Sequence, residues 1–304
     1  MKIILVSPRG FCAGVNRAIS ALHKAREQYG APFYVFHEIV HNTWVVQDFQ
    51  NRDVHFINSI EEIPDNSRIM FSAHGVSPKI RERCAAKKLK VIDATCPLVT
   101  RIHTQAVRLA EDGFRIILIG HAGHDEIVGI VEEAPEAISV ICSPEEAEKL
   151  SFAPDVPIAY LTQTTLSAEA AQKIIDVLKR KFPNLRPPQT GCICFATQNR
   201  QNAIRELLPE VDAVLIVGSP NSSNSQRLRE LASGRNLPAF LVDGPNDVKP
   251  EWFSSEQTLL ISAGASAPEC VVQTIVEKLK TLFQAEVEER NVVSESLQFR
   301  LPDI

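Results

Sequence analysis

The sequence predicts an α/β protein of three small α/β domains, with mainly parallel sheets in pseudo-threefold arrangement around a central cavity. Three observations predict it. Short apolar, β-branched runs alternate with amphipathic stretches of 3.6-residue period along the chain, the pattern of repeated βαβ units. The runs are apolar on both faces, which suits parallel sheets covered by helices on each side. A loop bearing one cysteine recurs after a strand-like run and before a helix, at Cys12, Cys96 and Cys194. These sit 84 and 98 residues apart, each interval the size of a small βαβα unit.

Taken in order, "IILV" reads as the first strand, "SPRGFC" as a Gly-bearing loop and "AGVNRAISALHKAREQYG" as a helix. "FYVFHEIV", "RIMFSAHG" and "KVIDATCP" read as further strands, giving a first domain over residues 1–95. "LVTRIHTQAVRLAEDG" and "SAEAAQKIIDVLKRKF" are helices of a second domain over 96–190, whose strands are "RIILIGHAG" and "PIAYLTQTT". Pro-rich "FPNLRPPQTG" reads as a connection between domains. "CICFATQ", "AVLIVGSPN", "AFLVDG" and "TLLISAGAS" supply strands of a third domain over 191–283. The polar remainder, 284–304, reads as a C-terminal arm.

A chain of 304 residues, 44% hydrophobic and 23% charged, is long enough for several domains and ordinary for a soluble globular protein. A net charge of −5 without a basic block argues against nucleic acid or an anionic membrane as the main partner. The N-terminal apolar run is too short for a secretion signal, and no stretch approaches the roughly 18 apolar residues of a membrane span. The expected address is cytoplasmic. Seven cysteines without compact spacing do not form the framework of a secreted disulfide protein.

The repeat extends beyond the cysteines. His41 lies 29 residues past Cys12, His124 lies 28 past Cys96, and Ser222 lies 28 past Cys194. A second polar element follows in each third: His74, then Thr164 and Thr165, then Ser266. Ligands of parallel α/β sheets bind at the carboxyl ends of strands. Three such units would bring three thiols and six polar loops to one cavity.

Three converging thiolates suggest a metal. Structural zinc takes four ligands, often from C-x-x-C pairs, and the chain has none. An iron–sulfur cluster tolerates scattered ligands; a 4Fe–4S cluster held by three thiolates keeps one iron site open for Lewis-acid chemistry. Cys84, Cys142 and Cys270 read as small buried hydrophobes. Cys192, two before Cys194, reads as core packing rather than a spare ligand. His23 and His103 lie in helical stretches and read as surface residues. A single loop histidine is ordinarily just solvated; His41, His74 and His124 occupy equivalent positions and point to function.

Glu126 has two readings: an acid favoured by the dipole at a helix start, or a proton donor beside the metal. Ser222, Ser223 and Asn224 in "GSPNSSNSQRL" are good N-cap types, and several together at a helix start also cradle an anion. "AGASAPE" repeats the device at Ser266. Neither a nucleotide-binding loop nor a dinucleotide fingerprint is present, so the anion is expected to be a small phosphorylated molecule.

The motifs "PRGFCAGVNRAI", "HEIVHN", "FSAHGVS", "DATCPLV", "LIGHAGHDE", "TQTTLS", "ATQNRQ", "GSPNSSNSQRL" and "AGASAPE" together resemble, in order, the 4-hydroxy-3-methylbut-2-enyl diphosphate reductase family. That resemblance implies three α/β domains around an oxygen-sensitive 4Fe–4S cluster with one open iron site. Its ligands fall on Cys12, Cys96 and Cys194. Its diphosphate-binding positions fall on His41, His74, His124, Ser222, Ser223, Asn224 and Ser266, and its proton donor on Glu126, with Thr165 in the hydrogen-bond network. The implied reaction is a two-electron reductive removal of an allylic hydroxyl, giving isopentenyl and dimethylallyl diphosphates. The implied electron donor is a ferredoxin or flavodoxin. Rival readings are an open-iron dehydratase of the quinolinate synthase type, which needs no net electrons, a non-enzymatic iron–sulfur sensor, and a zinc hydrolase.

Overall fold

A computed structural model describes all residues, 1–304. The elements run β1 (Lys2–Ser7), α1 (Ala13–Tyr29), β2 (Phe33–Phe36), α2 (Thr43–Gln50), β3 (Val54–Ile57), β4 (Arg68–Phe71), α3 (Pro78–Ala86), β5 (Lys90–Asp93), α4 (Pro97–Glu111), β6 (Arg115–Ile119), α5 (Asp125–Val131) and β7 (Ile138–Ile141). They continue with α6 (Pro144–Lys149), β8 (Ile158–Thr162), α7 (Ala168–Lys181), α8 (Phe195–Leu207), β9 (Ala213–Val217), α9 (Ser223–Ser233), β10 (Ala239–Val242), β11 (Thr258–Ala263), α10 (Glu269–Phe283) and β12 (Glu286–Asn291). No helix is long and apolar enough to cross a membrane.

The strands form three sheets, ordered β10-β9-β11-β1-β12, β3-β2-β4-β5 and β7-β6-β8. Every strand pair is parallel. The fold is α/β, as the alternation predicts. The chain divides into two compact units. One comprises Met1–Asn16, Val40–Arg52 and Phe195–Phe299 and holds the five-stranded sheet. The other comprises Arg17–Ile39, Asp53–Cys194 and Arg300–Ile304 and holds the other two.

The five-stranded sheet shows how period-two alternation makes two cores. Ile3, Leu5, Leu215, Val217, Leu259 and Ile261 face one way and pack with Val272, Ile275 and Leu279 of α10. Their alternates Ile4, Val6, Val214, Ile216 and Leu260 face the other, against Ile204 and Leu207 of α8 and Leu228 of α9.

The three sheets share one plan. The earliest of their own strands in the chain, β9, β2 or β6, lies between the next two, and a fourth segment follows beside the third. That fourth segment is β1 beside β11 and β5 beside β4; beside β8 it shrinks to a single bridge between Ala159 and Arg186. A cysteine loop follows each fourth segment. Sheet membership follows the expected spans 1–95, 96–190 and 191–283 for β2–β5, β6–β8 and β9–β11, and departs from them at β1. β1 joins the sheet of residues 213–291, because the segment that leads into each cysteine completes the sheet before it in the cycle.

Two expectations are corrected and a third gains detail. "CICFATQ" is not a strand: residues 191–194 are irregular and Phe195 begins α8. "FYVFHEIV" pairs only as Phe33–Phe36, since His37 turns to φ +58° and breaks the extended run. The arm after 284 begins as β12, which pairs with all six residues of β1. Its side chains are largely solvated, so an edge strand here carries no apolar signal.

Candidate active site

Each of the three repeat cysteines stands directly before a helix: Cys12 before α1, Cys96 as N-cap of α4, Cys194 before α8. All three are half-buried. Their amides follow one rule. The Cys12 N–H donates to the Ala265 carbonyl at 3.1 Å, that of Cys96 to Ala73 at 3.0 Å, and that of Cys194 to Thr164 at 3.0 Å. Each acceptor sits at the second polar element of a repeat: Ala265 and Ala73 directly precede Ser266 and His74, and Thr164 directly precedes Thr165 within its pair. The other cysteines differ. Cys84 and Cys192 lie in apolar cores, where burial pushes the Cys84 thiol up to about 11 and raises that of Cys192. Cys142 and Cys270 are exposed, which corrects the expectation that they are buried. Half-buried at helix starts, each of the three is in a setting that suits a metal ligand, unlike the cysteines in apolar cores.

Glu126, in the first turn of α5, is 2% exposed. Its Oε1 accepts the Thr164 N–H at 2.8 Å and its Oε2 accepts the Thr164 hydroxyl at 2.6 Å. The same Thr164 accepts the Cys194 amide through its carbonyl. One residue thus fixes the buried acid and the Cys194 loop. Thr165 stands one step along; its hydroxyl accepts from Gln163 Nε2 at 3.1 Å. Gln163 Oε1 in turn accepts the His121 N–H at 3.1 Å, tying "TQTT" to "GHAGH". Gly120 permits that approach: a Cβ there would lie 2.5 Å from Ile127 Cδ1 and 3.1 Å from Gln163 Cβ.

His124 is the N-cap of α5, and its Nδ1 accepts the Glu126 N–H at 3.1 Å. When neutral, its ring therefore carries the proton on Nε2 and presents a donor there. The His74 ring meets it edge-on, with centroids 5.9 Å apart.

In the other unit, Ser222 caps α9 and Ser225 Oγ donates to Ser222 Oγ at 3.0 Å. The Ser266 hydroxyl donates to the His41 carbonyl at 2.8 Å and lies 3.4 Å from Ser222 Oγ. The Thr43 N–H donates to Ser219 Oγ at 2.9 Å, holding α2 beside the β9 loop. Ser223 opens α9, half-buried. Asn224 is 3% exposed, and both its amide nitrogen and oxygen lack a protein partner. A buried amide left unpaired is costly and fits a polar ligand. His41, Cys12, Ser222, Ser223, Asn224 and Ser266 thus belong to one unit; His74, Cys96, His124, Glu126, Thr165 and Cys194 belong to the second.

The sequence reading missed two groups here. Thr164, named with Thr165 as a polar element of the repeat but given no role of its own, makes the bonds to Glu126. His103, expected at the surface, is 6% exposed and binds Glu133 Oε1 through Nδ1 at 2.7 Å. Its signal was present: Val99, Ile102, His103 and Ala106 form an i, i+3, i+4, i+7 stripe.

The LytB protein family matches residues 3–280 of the chain. The 4-hydroxy-3-methylbut-2-enyl diphosphate reductase of Rhodopirellula baltica is 50% identical over 302 residues, covering 99% of this chain and 95% of its own. That of Hahella chejuensis is 45% identical over 314 residues, covering 100% and 99%. The solved E-1-hydroxy-2-methyl-but-2-enyl-4-diphosphate reductase from Plasmodium falciparum superposes with TM-score 0.96 at 35% identity, covering 99% of this chain and 95% of that one. A structure described as (E)-4-hydroxy-3-methyl-but-2-enyl diphosphate reductase, the terminal enzyme of the non-mevalonate pathway, gives TM-score 0.65 at 27% identity, covering 92% and 100%. With almost its entire length matched, this chain belongs to the LytB family of diphosphate reductases.

Proposed function

We propose that the protein reduces 4-hydroxy-3-methylbut-2-enyl diphosphate to isopentenyl and dimethylallyl diphosphates in the cytoplasm, with electrons from a ferredoxin- or flavodoxin-type donor. The overall change takes two electrons and two protons: the allylic C–O bond breaks, water leaves, and a C–H bond forms. Cys12, Cys96 and Cys194 would hold a 4Fe–4S cluster. When bound, that cluster supplies electrons singly and a Lewis-acidic iron site.

The remaining work falls to the chain itself. His41, His74, His124, Ser222, Ser223, Asn224 and Ser266 bind and orient the diphosphate. Hydroxyl, amide and imidazole donors suit this task, since they fix an anion by hydrogen bonds to its oxygens and set the geometry of the reacting end. Glu126 holds a proton at its carboxyl and gives it to the departing hydroxyl, which is a poor leaving group as hydroxide. Thr164 fits both states of that acid, because its hydroxyl donates to the carboxylate and can turn to accept from the carboxylic acid. Thr165 belongs to the adjoining hydrogen-bond network. Protonation of the resulting allyl unit at either end accounts for two products.

The observation that carries this reading is the junction at Thr164, which binds the buried Glu126 on one side and the Cys194 amide on the other. The test is an anaerobic assay of purified, iron- and sulfide-loaded protein with the diphosphate substrate, with and without a strong reductant. Consumption that depends on the reductant is expected. Glu126→Gln should keep the visible absorbance of the loaded protein and lose about 10²–10⁴-fold in turnover. Turnover without reductant, or a Glu126→Gln variant as fast as wild type, would remove the reading.

A further inference from the structure

We propose that Arg200 is a positioning residue for the metal centre. Its guanidinium clamps the Cys12 loop to the start of α8, and Glu295 from the C-terminal segment locks the clamp. This rests on the reading of Cys12 as a ligand.

Arg200 has the largest side chain among those fully buried, at 1% exposure. It lies on the inward stripe of α8, with Ala196, Ala203, Ile204 and Leu207. A cation in such a place is costly unless its donors are met. Nη2 donates to the Gly10 carbonyl at 2.7 Å, and Nη1 to the Ala196 carbonyl at 2.8 Å. Gly10 is two residues before Cys12, and Ala196 is two residues after Cys194. Nη1 also reaches both carboxylate oxygens of Glu295, each at 3.2 Å. Glu295 is itself held by Asn199 Nδ2 at 3.0 Å. Gly10 adopts φ +67°, and a Cβ there would come within 3.2 Å of the Ala267 carbonyl, so the loop has one tight path.

These contacts give the C-terminal segment a task. Asn291 and residues 293–298 wall a cavity of about 460 Å³ together with Phe11, Asn16, Phe195 and Arg200. The Arg200 Nε is buried without a protein partner. A planar fork can span two carbonyls and a carboxylate from different segments at once; a lysine ammonium cannot hold the same set. Partners one step beyond a metal's ligands commonly change metal retention about 10–100-fold when altered.

The test compares wild type, Arg200→Lys, Glu295→Gln and the double variant of the full chain. One arm follows amide hydrogen exchange of a peptide spanning Phe11–Ala13 in the iron-free protein, with β9 peptides as reference. The other loads each protein anaerobically and follows iron loss to a ferrous chelator. Arg200→Lys should speed exchange at the Cys12 amide and iron loss each about tenfold, leaving β9 unchanged. Glu295→Gln should speed both about threefold, and the double variant should match Arg200→Lys, because the two act as one unit. Uniform acceleration across the sheet, additive effects, or wild-type behaviour of Glu295→Gln in both arms would overturn the proposal. Glu295→Gln keeps the test decisive should Arg200→Lys fail to fold. Wild type that takes up no cluster would instead defeat the reading of Cys12 as a ligand, while the exchange arm would still decide whether Arg200 holds the loop.

Discussion

At Glu126 both carboxylate oxygens are engaged by one neighbour, and the two engagements are not equivalent. The Thr164 N–H can only donate, whereas its hydroxyl can donate or accept. The hydroxyl side is therefore the one able to follow a proton arriving at or leaving Glu126. Thr164→Val keeps the backbone donor and the carbonyl that holds Cys194, and removes only the hydroxyl. We expect kcat to fall about 10–100-fold with KM within about threefold, since orientation of an acid is lost but the diphosphate contacts stay. Steady-state kinetics under anaerobic conditions would measure it, and a change confined to KM would contradict it. The neighbouring residue Thr165 bonds instead to Gln163. A one-residue difference in role of this kind depends on which side of the loop each side chain takes, and the motif "TQTT" contains both threonines equally.

At the scale of elements, His103 on α4 shows how helices are fitted around a buried polar side chain. Its ring lies against two glycines: a Cβ at Gly75 would come 3.2 Å from Nε2, and one at Gly129 would come 3.2 Å from Cε1. Gly75 follows His74, and Gly129 belongs to the helix of Glu126, so the ring spaces both elements from α4. Burial lowers the His103 pKa below its ordinary 6.5, opposed by Glu133 and Asp93 and aided by Arg81. The unfolded chain then takes up a proton at a higher pH than the folded one. Stability from this group is fully present above about pH 6.5 and is lost as pH falls below that value through the lower folded-state pKa. His103→Gln keeps a donor toward Glu133 and does not titrate. Its thermal midpoint should fall less than that of wild type between about pH 7.5 and 5.5; parallel slopes would show that His103 is not the group responsible. The same close fitting recurs at α9. Cβ atoms at Gly218 and Gly264 would lie 2.2 and 2.0 Å from Ser225 Oγ, so these glycines let the Ser222 loop sit tight on the ends of β9 and β11.

Across the whole molecule, one arrangement is used three times. A segment paired in a sheet (a strand before Cys12 and Cys96, a single bridge before Cys194) leads to a cysteine at a helix start, and the cysteine amide is tied to the loop of a neighbouring strand. Thiols placed in this way should behave as a set, and those outside it should not. Cys12→Ser, Cys96→Ser and Cys194→Ser should each strip most of the visible absorbance from anaerobically loaded protein. Cys84→Ser and Cys270→Ser should leave it intact, and the reverse pattern would break the assignment. Cys84→Ser has a separate expected cost of about 1–3 kcal/mol, because it puts a hydroxyl into an apolar core.

Residue order alone was enough for the α/β class, the three cysteine loops, the polar loops at matched distances from them, and the family to which they belong. These are local features: apolar runs, helix periodicity and motif spacing survive in one dimension. The folded chain was needed to show that β1 completes the sheet of the last segment, that polar residues 286–291 form an edge strand, and that "CICFATQ" opens a helix. Parallel pairing joins segments far apart in the chain, and an edge strand buries too little to mark itself. The inward positions of His103 and Arg200 became visible in the same way. A charged or titratable side chain is stable inside only when partners from elsewhere meet its donors, and Glu133, Gly10 and Glu295 become its neighbours through the fold alone.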